Sequence, residues 1–175
     1  MVKYILQHTR GDREMEGCSF TGHRSIKNEH REQLPELLLR AVFYAYEKGC
    51  RKFYTGGAIG FDTEAARAVI KFRISHPDVS LILILPCEDQ SDRWSDSQRN
   101  DYKYTLREAN ETIYISERYY DGCMKERNQA LAERGDILIA YVGRYNSGAA
   151  QTVRMAKELG REVYNLYPSL DEKGR

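Results

Sequence analysis

A glycine-rich turn that ends in an aspartate is the segment of this 175-residue chain best suited to hold a ligand. It runs from Thr55 to Asp62, between a β-prone run at 51–54 and apolar residues at helical spacing. Glycines let the backbone approach a ligand, and a helix N-terminus presents unpaired N–H groups and a positive dipole to an anion. The turn therefore predicts a site for a nucleotide phosphate, with these candidate residues: Gly56, Gly57, Ala58, Gly60 and Asp62.

Two acids at the start of the following helix allow simpler interpretations as well. Asp62 falls in the first helical turn, where capping of backbone N–H groups competes with binding a ligand hydroxyl. Glu64 is close enough to the loop to act as a general acid, but the helix dipole also favours a glutamate there. The sequence contains no serine-hydrolase order, HExxH motif or Walker lysine that would supply a catalytic set.

Polar segments follow the first and fifth predicted strands too. The turn at 21–24 offers an arginine for a phosphate or carboxylate, or is an ordinary turn with a solvated arginine. The small-residue turn at 146–152 opens a helix and predicts a second anion cradle, in which Ser147 also suits the N-cap. The candidate contacts in these two turns are Gly22, His23, Arg24, Ser147, Gly148 and Thr152.

Two further candidate groups lie after the third and fourth strands. A polar loop at 88–100 contains Trp94, which either stacks on a base or covers the pocket, or anchors the loop. In the helix after the fourth strand, Arg127 and Asn128 lie near Cys123 and are candidate ligand contacts. The alternative is a solvated helix with one capped end.

Short β-prone runs alternate with helical patterns along the chain and predict an α/β fold. The run at 79–85 is continuously apolar, as expected of a parallel strand covered by helices on both faces. We expect a Rossmann-like, doubly wound, mostly parallel sheet in three layers, with ligands beyond the carboxyl ends of the strands. Residues 18–175 are expected to form one domain after an N-terminal extension, 1–17, in which 3–6 is either an edge strand or a tail. The predicted strands are 17–21, 52–55, 79–85, 111–115, 136–142 and 162–165, and the predicted helices are 34–45, 62–73, 122–134 and 148–159.

Composition limits the partners and the compartment. The formal net charge is +1, so phosphate binding requires a local site rather than a field over the whole surface. The sequence has no apolar run near the roughly 18 residues that span a bilayer, and its start lacks an apolar signal core. Four cysteines without a CxxC pair favour the reduced cytoplasm, with neither a disulfide framework nor a metal site expected.

Taken together, these motifs resemble the YpsA-like branch of the SLOG superfamily. The resemblance rests on the runs 19–24, 54–62, 85–87 and 120–128, in that order, and covers roughly 18–165. It implies a Rossmann-like fold with a nucleotide pocket, and points by position to Gly22, Arg24, Gly56, Gly57, Asp62, Arg127 and Asn128. Ser147-Gly148-Ala149 departs from the Gly-Gly-Thr that often opens the late helix in the family, and the N-terminal extension is longer than expected.

Three functions remain open at this point. The first is a binding or sensor domain for a nucleotide or nucleotide sugar, which requires no further cofactor. The second is a nucleoside-monophosphate glycosidic hydrolase similar to the LOG enzymes of the superfamily, with Glu64 shifted by one position from their glutamate. The third is a single-stranded nucleic-acid binder similar to DprA, which the near-neutral charge disfavours. The resemblance also suggests a homodimer.

Overall fold

The computed structural model describes residues 15–173, which contain six strands and six helices in alternation. The strands are β1 (Gly17–Gly22), β2 (Lys52–Thr55), β3 (Ser80–Cys87), β4 (Glu111–Ser116), β5 (Ile137–Tyr141) and β6 (Glu162–Asn165). The helices are α1 (Leu34–Glu47), α2 (Phe61–Arg73), α3 (Asp96–Glu108), α4 (Cys123–Arg134), α5 (Gly148–Glu158) and α6 (Tyr167–Lys173).

All six strands are parallel and lie in the order β4-β3-β2-β1-β5-β6. The chain builds the sheet outward from β1 to β4, then crosses back and places β5 on the other side of β1. The strand order therefore reverses between β1 and β5, and the loops after these two strands diverge to leave a crevice. The Rossmann-like three-layer fold expected from the sequence is confirmed.

The sheet is buried on both faces because its strands present apolar side chains alternately to two helical layers. In β3, Leu81, Leu83 and Leu85 pack in the larger core with α1 and α2, while Ile82 and Ile84 pack toward α4. A third small cluster joins α5 to β5 through Leu138. This double burial explains the continuously apolar pattern of β3.

The structure differs from the sequence prediction in two elements. The predicted polar loop at 88–100 instead turns into α3 at Asp96, because Ser95 caps that helix. The Ser95 hydroxyl accepts the amide of Gln98 at 3.2 Å, and the Gln98 side chain accepts the amide of Ser95 at 3.0 Å. This S-x-x-Q capping box is a sequence signal that the analysis missed. The second difference is α6, which follows the last predicted strand and packs Leu170 into the larger core.

No helix in residues 15–173 is long and apolar enough to cross a membrane. The possible edge strand at 3–6 lies outside the described residues, so the role of the 1–17 extension stays a prediction.

The turns after β1 and β2 are locked together by close backbone contact. The amide of Phe61 donates to the carbonyl of His23 at 3.1 Å. Gly60 has φ +80° and ψ −121°, a conformation that side-chain-bearing residues avoid. A Cβ at this position would also collide with the backbone of Arg24. Gly60 therefore keeps the two turns in register.

We expect Gly60→Ala to destabilise the protein by about 1–3 kcal/mol from backbone strain, with additional loss from the collision with Arg24. Gly122 is the matched control, because it has φ +106° but a Cβ there would meet only the Tyr120 ring at 3.9 Å. Chemical denaturation should show a larger loss for Gly60→Ala than for Gly122→Ala. Equal losses would show that the contact between the turns adds nothing to stability.

Candidate functional site

A cavity of about 290 Å³ opens where the strand order reverses, beyond the carboxyl ends of β1 and β5. Its wall combines the turns after β1, β2 and β5 with one side of α4. Loops that are far apart in sequence therefore surround one space, as expected for a doubly wound sheet. The lining residues are Thr21, Gly22, His23, Arg24, Ala58, Asp62, Met124, Arg127, Asn128, Leu131, Arg144, Ser147, Gly148 and Ala149.

Arg127 lies on the floor of this cavity and is only 7% exposed. Its Nη1 donates to the carbonyl of Gly56 at 2.7 Å, and its Nε donates to Oδ1 of Asn128 at 2.9 Å. Among the ion pairs within 4.0 Å in residues 15–173, none includes Arg127. Burial lowers the pKa of this guanidinium, an effect that the nearby Asp62 opposes. The cavity floor thus holds a buried cation whose immediate partners are neutral.

Gly56 makes room for the Arg127 side chain and does not itself line the cavity. A Cβ at position 56 would lie 2.5 Å from Nη1 of Arg127 and 3.0 Å from Oδ2 of Asp62. The absence of a side chain therefore makes room for the guanidinium group. The glycine turn positions Arg127 as much as it shapes the cavity.

Asp62 fills part of the glycine turn with its own carboxylate. Its Oδ2 accepts the amide of Ala58 at 3.1 Å, so this N–H is already occupied. Burial raises the pKa of Asp62 to about 6, although Arg127, the Ala58 amide and Arg24 act in the opposite direction. The turn at 55–62 therefore presents an acid to the cavity, whereas the sequence analysis expected it to present free amides to a phosphate.

The N-terminus of α5 is the second predicted cradle and opens directly into the cavity. The Ser147 hydroxyl accepts the amide of Ala150 at 3.1 Å, which confirms the N-cap interpretation of this residue. Gly148 and Ala149 occupy the first helical turn, where amides have no intrahelical acceptor. Asn128 ties α4 to this turn by donating to the carbonyl of Gly148 at 3.5 Å.

His23 joins the turn after β1 to the turn after β5. Its Nε2 accepts the amide of Gly143 at 2.8 Å, so the ring is neutral with its proton on Nδ1. Burial, and then the positive charge of Arg144, lower the pKa of His23 and favour this neutral form. His23 thus acts as a bridge between two loops of the cavity, and the exposed Arg24 and Arg144 flank it.

Several predicted residues lie outside the cavity wall. A Cβ at Gly57 would meet the Leu85 side chain, so this glycine faces β3. Trp94 packs on the larger core with its ring 5.2 Å from that of Tyr102, which supports the interpretation of an anchor for its loop. Thr152 is fully buried and donates to the carbonyl of Gly148 at 3.0 Å.

Glu64 borders a separate cavity of about 240 Å³ together with Gly60. Its Oε1 accepts from Nη1 of Arg67 at 2.9 Å, and Arg67 also binds Asp101 at 2.8 Å. This cavity shares Arg24 with the cavity described above. The glutamate is therefore engaged in an ion-pair network outside the main cavity.

The candidates drawn from the sequence leave out five residues of the cavity wall: Thr21, Met124, Leu131, Arg144 and Ala149. Arg144 lies in the turn after β5, between the predicted strand 136–142 and the small-residue turn at 146–152, so its position just after a strand was the available signal. Met124 lines the cavity one helical turn before Asn128, and Arg127 approaches its sulfur at 3.8 Å. No group of three His, Cys, Asp or Glu side chains in residues 15–173 is arranged to hold a metal ion.

Solved structures with the same fold include two DNA-processing proteins. The structure of DprA from Streptococcus pneumoniae is 17% identical with a TM-score of 0.62; the match covers 86% of this chain and 50% of that one. DprA from Helicobacter pylori, whose structure describes a single-stranded DNA binding mode, is 18% identical with a TM-score of 0.60 and coverages of 92% and 74%. At these identities the likeness shows the fold. The chain spans about half the length of the first of these proteins.

Sequence comparison identifies the family. The UPF0398 protein of Bacillus cereus strain B4264 is 28% identical over 164 residues, which cover 87% of this chain and 89% of that protein. The family model described as the YspA SLOG family matches residues 18–167. This match spans all three turns that form the cavity, Arg127 on α4 and the sheet from residue 18 onward, and it confirms the resemblance drawn from the motifs. The chain belongs to the YpsA family of SLOG proteins.

Proposed function

We propose that this protein is a binding domain for a nucleotide or nucleotide-derived ligand, held at the carboxyl ends of β1 and β5. The observation that carries this proposal is Arg127, a buried cation that faces a cavity without a carboxylate within 4.0 Å among the described residues. Burying an unpaired charge is costly, and an anionic ligand offsets that cost.

The charges around the cavity support an anion as the ligand. Arg24, Arg127 and Arg144 line it with a single acid, Asp62. The first-turn amides of α5 and the dipole of that helix add to the positive potential at the same end. A phosphate group therefore fits between the arginines and the start of α5.

The size of the cavity and the acid on its wall narrow the ligand class. At about 290 Å³, the cavity is at the lower end of the roughly 300–1,000 Å³ typical of small-molecule sites, so it suits one nucleotide unit. Asp62 is placed to accept a ligand hydroxyl, such as that of a ribose, when it is ionised. Since Glu64 borders a different cavity and pairs with Arg67, hydrolysis by this glutamate is not part of the proposal.

The proposal predicts thermal stabilisation by a matching nucleotide. A panel of AMP, ADP, ADP-ribose and NAD should contain a ligand that raises Tm, because saturation at about a hundred times Kd adds about 2.7 kcal/mol to stability. Arg24→Gln and Arg144→Gln should each weaken binding by about tenfold or more, as expected when a charge-assisted hydrogen bond is lost. Thermal melting with each nucleotide measures the rise in Tm, and calorimetric titration of the hit measures the loss of affinity in the variants.

The matched control for these variants is Arg40→Gln, an exposed arginine on α1 that pairs with Glu36 away from the cavity. It should bind the hit with wild-type affinity. A panel without any Tm shift, or equal weakening by all three variants, would contradict the proposed site. Because Arg24 and Arg144 are exposed, these substitutions leave the core intact.

The ionisation of Asp62 predicts a second, ligand-independent result. Its pKa is raised to about 6 in the folded protein, above the value of about 3.8 in the unfolded chain. The folded state holds this proton more tightly, so the contribution of Asp62 to stability falls as pH rises from about 4 through 6. Asp62→Asn removes this titration.

We therefore expect the unfolding free energy of the wild type, relative to Asp62→Asn, to decrease between pH 4 and 7. Urea denaturation at several pH values measures this difference. The lowered pKa of His23 has the opposite effect, but it is present in both proteins and cancels in the comparison. Parallel pH profiles would show that Asp62 is not buried beside the cavity in the way described.

A further inference from the structure

The main cavity has a neighbour that is distinct from the cavity beside Glu64. This second cavity, of about 310 Å³, lies on the other side of the β5–α5 turn and shares Arg144 with the main cavity. Three cations line it and no acid does: Arg144 from the turn, and Arg154 and Lys157 from α5. None of the three takes part in an ion pair within 4.0 Å in the part of the chain that the structure describes. This concentration of unpaired positive charge continues the arginine cluster of the first cavity across the start of α5.

An aromatic side chain stands within this basic surface. Tyr145 lines the second cavity and is 77% exposed, the largest exposed fraction of any aromatic side chain in residues 15–173. Arg154 holds it in place: the guanidinium carbon lies 4.8 Å from the ring centroid, and Nη1 donates to the Tyr145 carbonyl at 3.1 Å. The ring is therefore oriented and open to solvent at once.

An exposed, oriented aromatic ring among unpaired cations is the combination that binds a nucleotide unit without sequence preference. The ring stacks on the base, and the cations neutralise the phosphate. Since Arg144 belongs to both cavities, a phosphate beside it is in reach of groups on either side. Tyr145 and Lys157 are both exposed, so replacing either side chain leaves the core intact.

We infer that the second cavity, lined by Arg144, Tyr145, Arg154 and Lys157, is a subsite for a second nucleotide unit, joined through a phosphate at Arg144 to the unit in the first cavity. This inference rests on the proposed function and deepens it by naming the ligand class. The shared chemistry is two nucleotide units linked by phosphate. A free dinucleotide and the end of a single strand both provide it.

The test compares one nucleotide unit with two by calorimetric titration. AMP and UMP serve as single units, and the 5′-phosphorylated dinucleotides pApA and pUpU as double units. In the wild type, at least one dinucleotide should bind about fivefold or more tightly than its mononucleotide, since stacking of a base on an aromatic side chain contributes at this level. Tyr145→Ala should remove this gain and leave mononucleotide affinity unchanged.

One further variant tests the contact between Lys157 and the phosphate, and another is the control for removing an exposed tyrosine. Lys157→Gln should make the dinucleotide affinity less dependent on salt, reducing the slope of log K against log salt by about 0.7. Tyr104→Ala is the matched control, because Tyr104 is 40% exposed and carries Arg107 over its ring at 5.3 Å, but lies on α3. It should retain the wild-type gain for dinucleotides.

The outcomes distinguish this inference from the proposed function. If mononucleotides bind and depend on Arg24, but dinucleotides gain nothing or keep their gain in Tyr145→Ala, the second subsite is overturned and the proposed function stands. If neither the mononucleotides nor the dinucleotides bind, the second subsite is overturned, and the proposed function fails with it when the wider nucleotide panel gives no Tm shift either. If the dinucleotide gain is present in the wild type and lost in Tyr145→Ala, a longer oligoadenylate identifies the source: affinity at least equal to that of pApA indicates a strand end, and markedly weaker binding indicates a free dinucleotide.

Discussion

The placement of an unpaired guanidinium inside the fold determines much of the surrounding structure. Arg127 projects from α4 beneath the end of β2, where Gly56 lacks a side chain and offers its carbonyl. Asn128 accepts a second hydrogen bond and connects the same helix to α5. These neutral dipoles and the nearby Asp62 stabilise the charge in part, while burial raises the pKa of Asp62 to about 6 against the opposing effect of Arg127. An anion in the cavity would offset the remaining free-energy cost of burying the Arg127 charge.

The loops around this charge form one unit because they are bonded to each other. His23 accepts the amide of Gly143 from the turn after β5, and its own carbonyl accepts the amide of Phe61 at the start of α2. The Phe61 and Tyr141 rings stack beneath them at 5.6 Å. Three turns from three strands are thus held in place before any ligand arrives. Such preorganisation lowers the ordering cost of binding.

Net charge proved a poor guide to the surface. The chain carries 27 basic and 26 acidic residues, which suggests an even distribution. In the structure, many cations away from the cavities are neutralised locally, as Arg67 is by Glu64 and Asp101. Around the two adjacent cavities at the ends of β1 and β5, by contrast, five cations share the walls with a single acid, Asp62, so positive charge is locally in excess there. Total charge does not encode this separation, because the grouping of charges on the surface is a property of tertiary structure.

The sequence by itself determined the alternation of strands and helices, since hydrophobic periodicity and glycine stops depend on neighbours along the chain. It also indicated that polar turns follow the strands, and its motifs identified the family. Tertiary structure alone decided which turns meet. In the folded chain Gly57 and Trp94 pack toward the core, and Arg144 lies at the cavity. The carboxylate of Asp62 accepts the Ala58 amide, which the sequence suggested as a phosphate contact. These outcomes depend on the strand order and on contacts between residues distant in sequence, which local patterns do not encode.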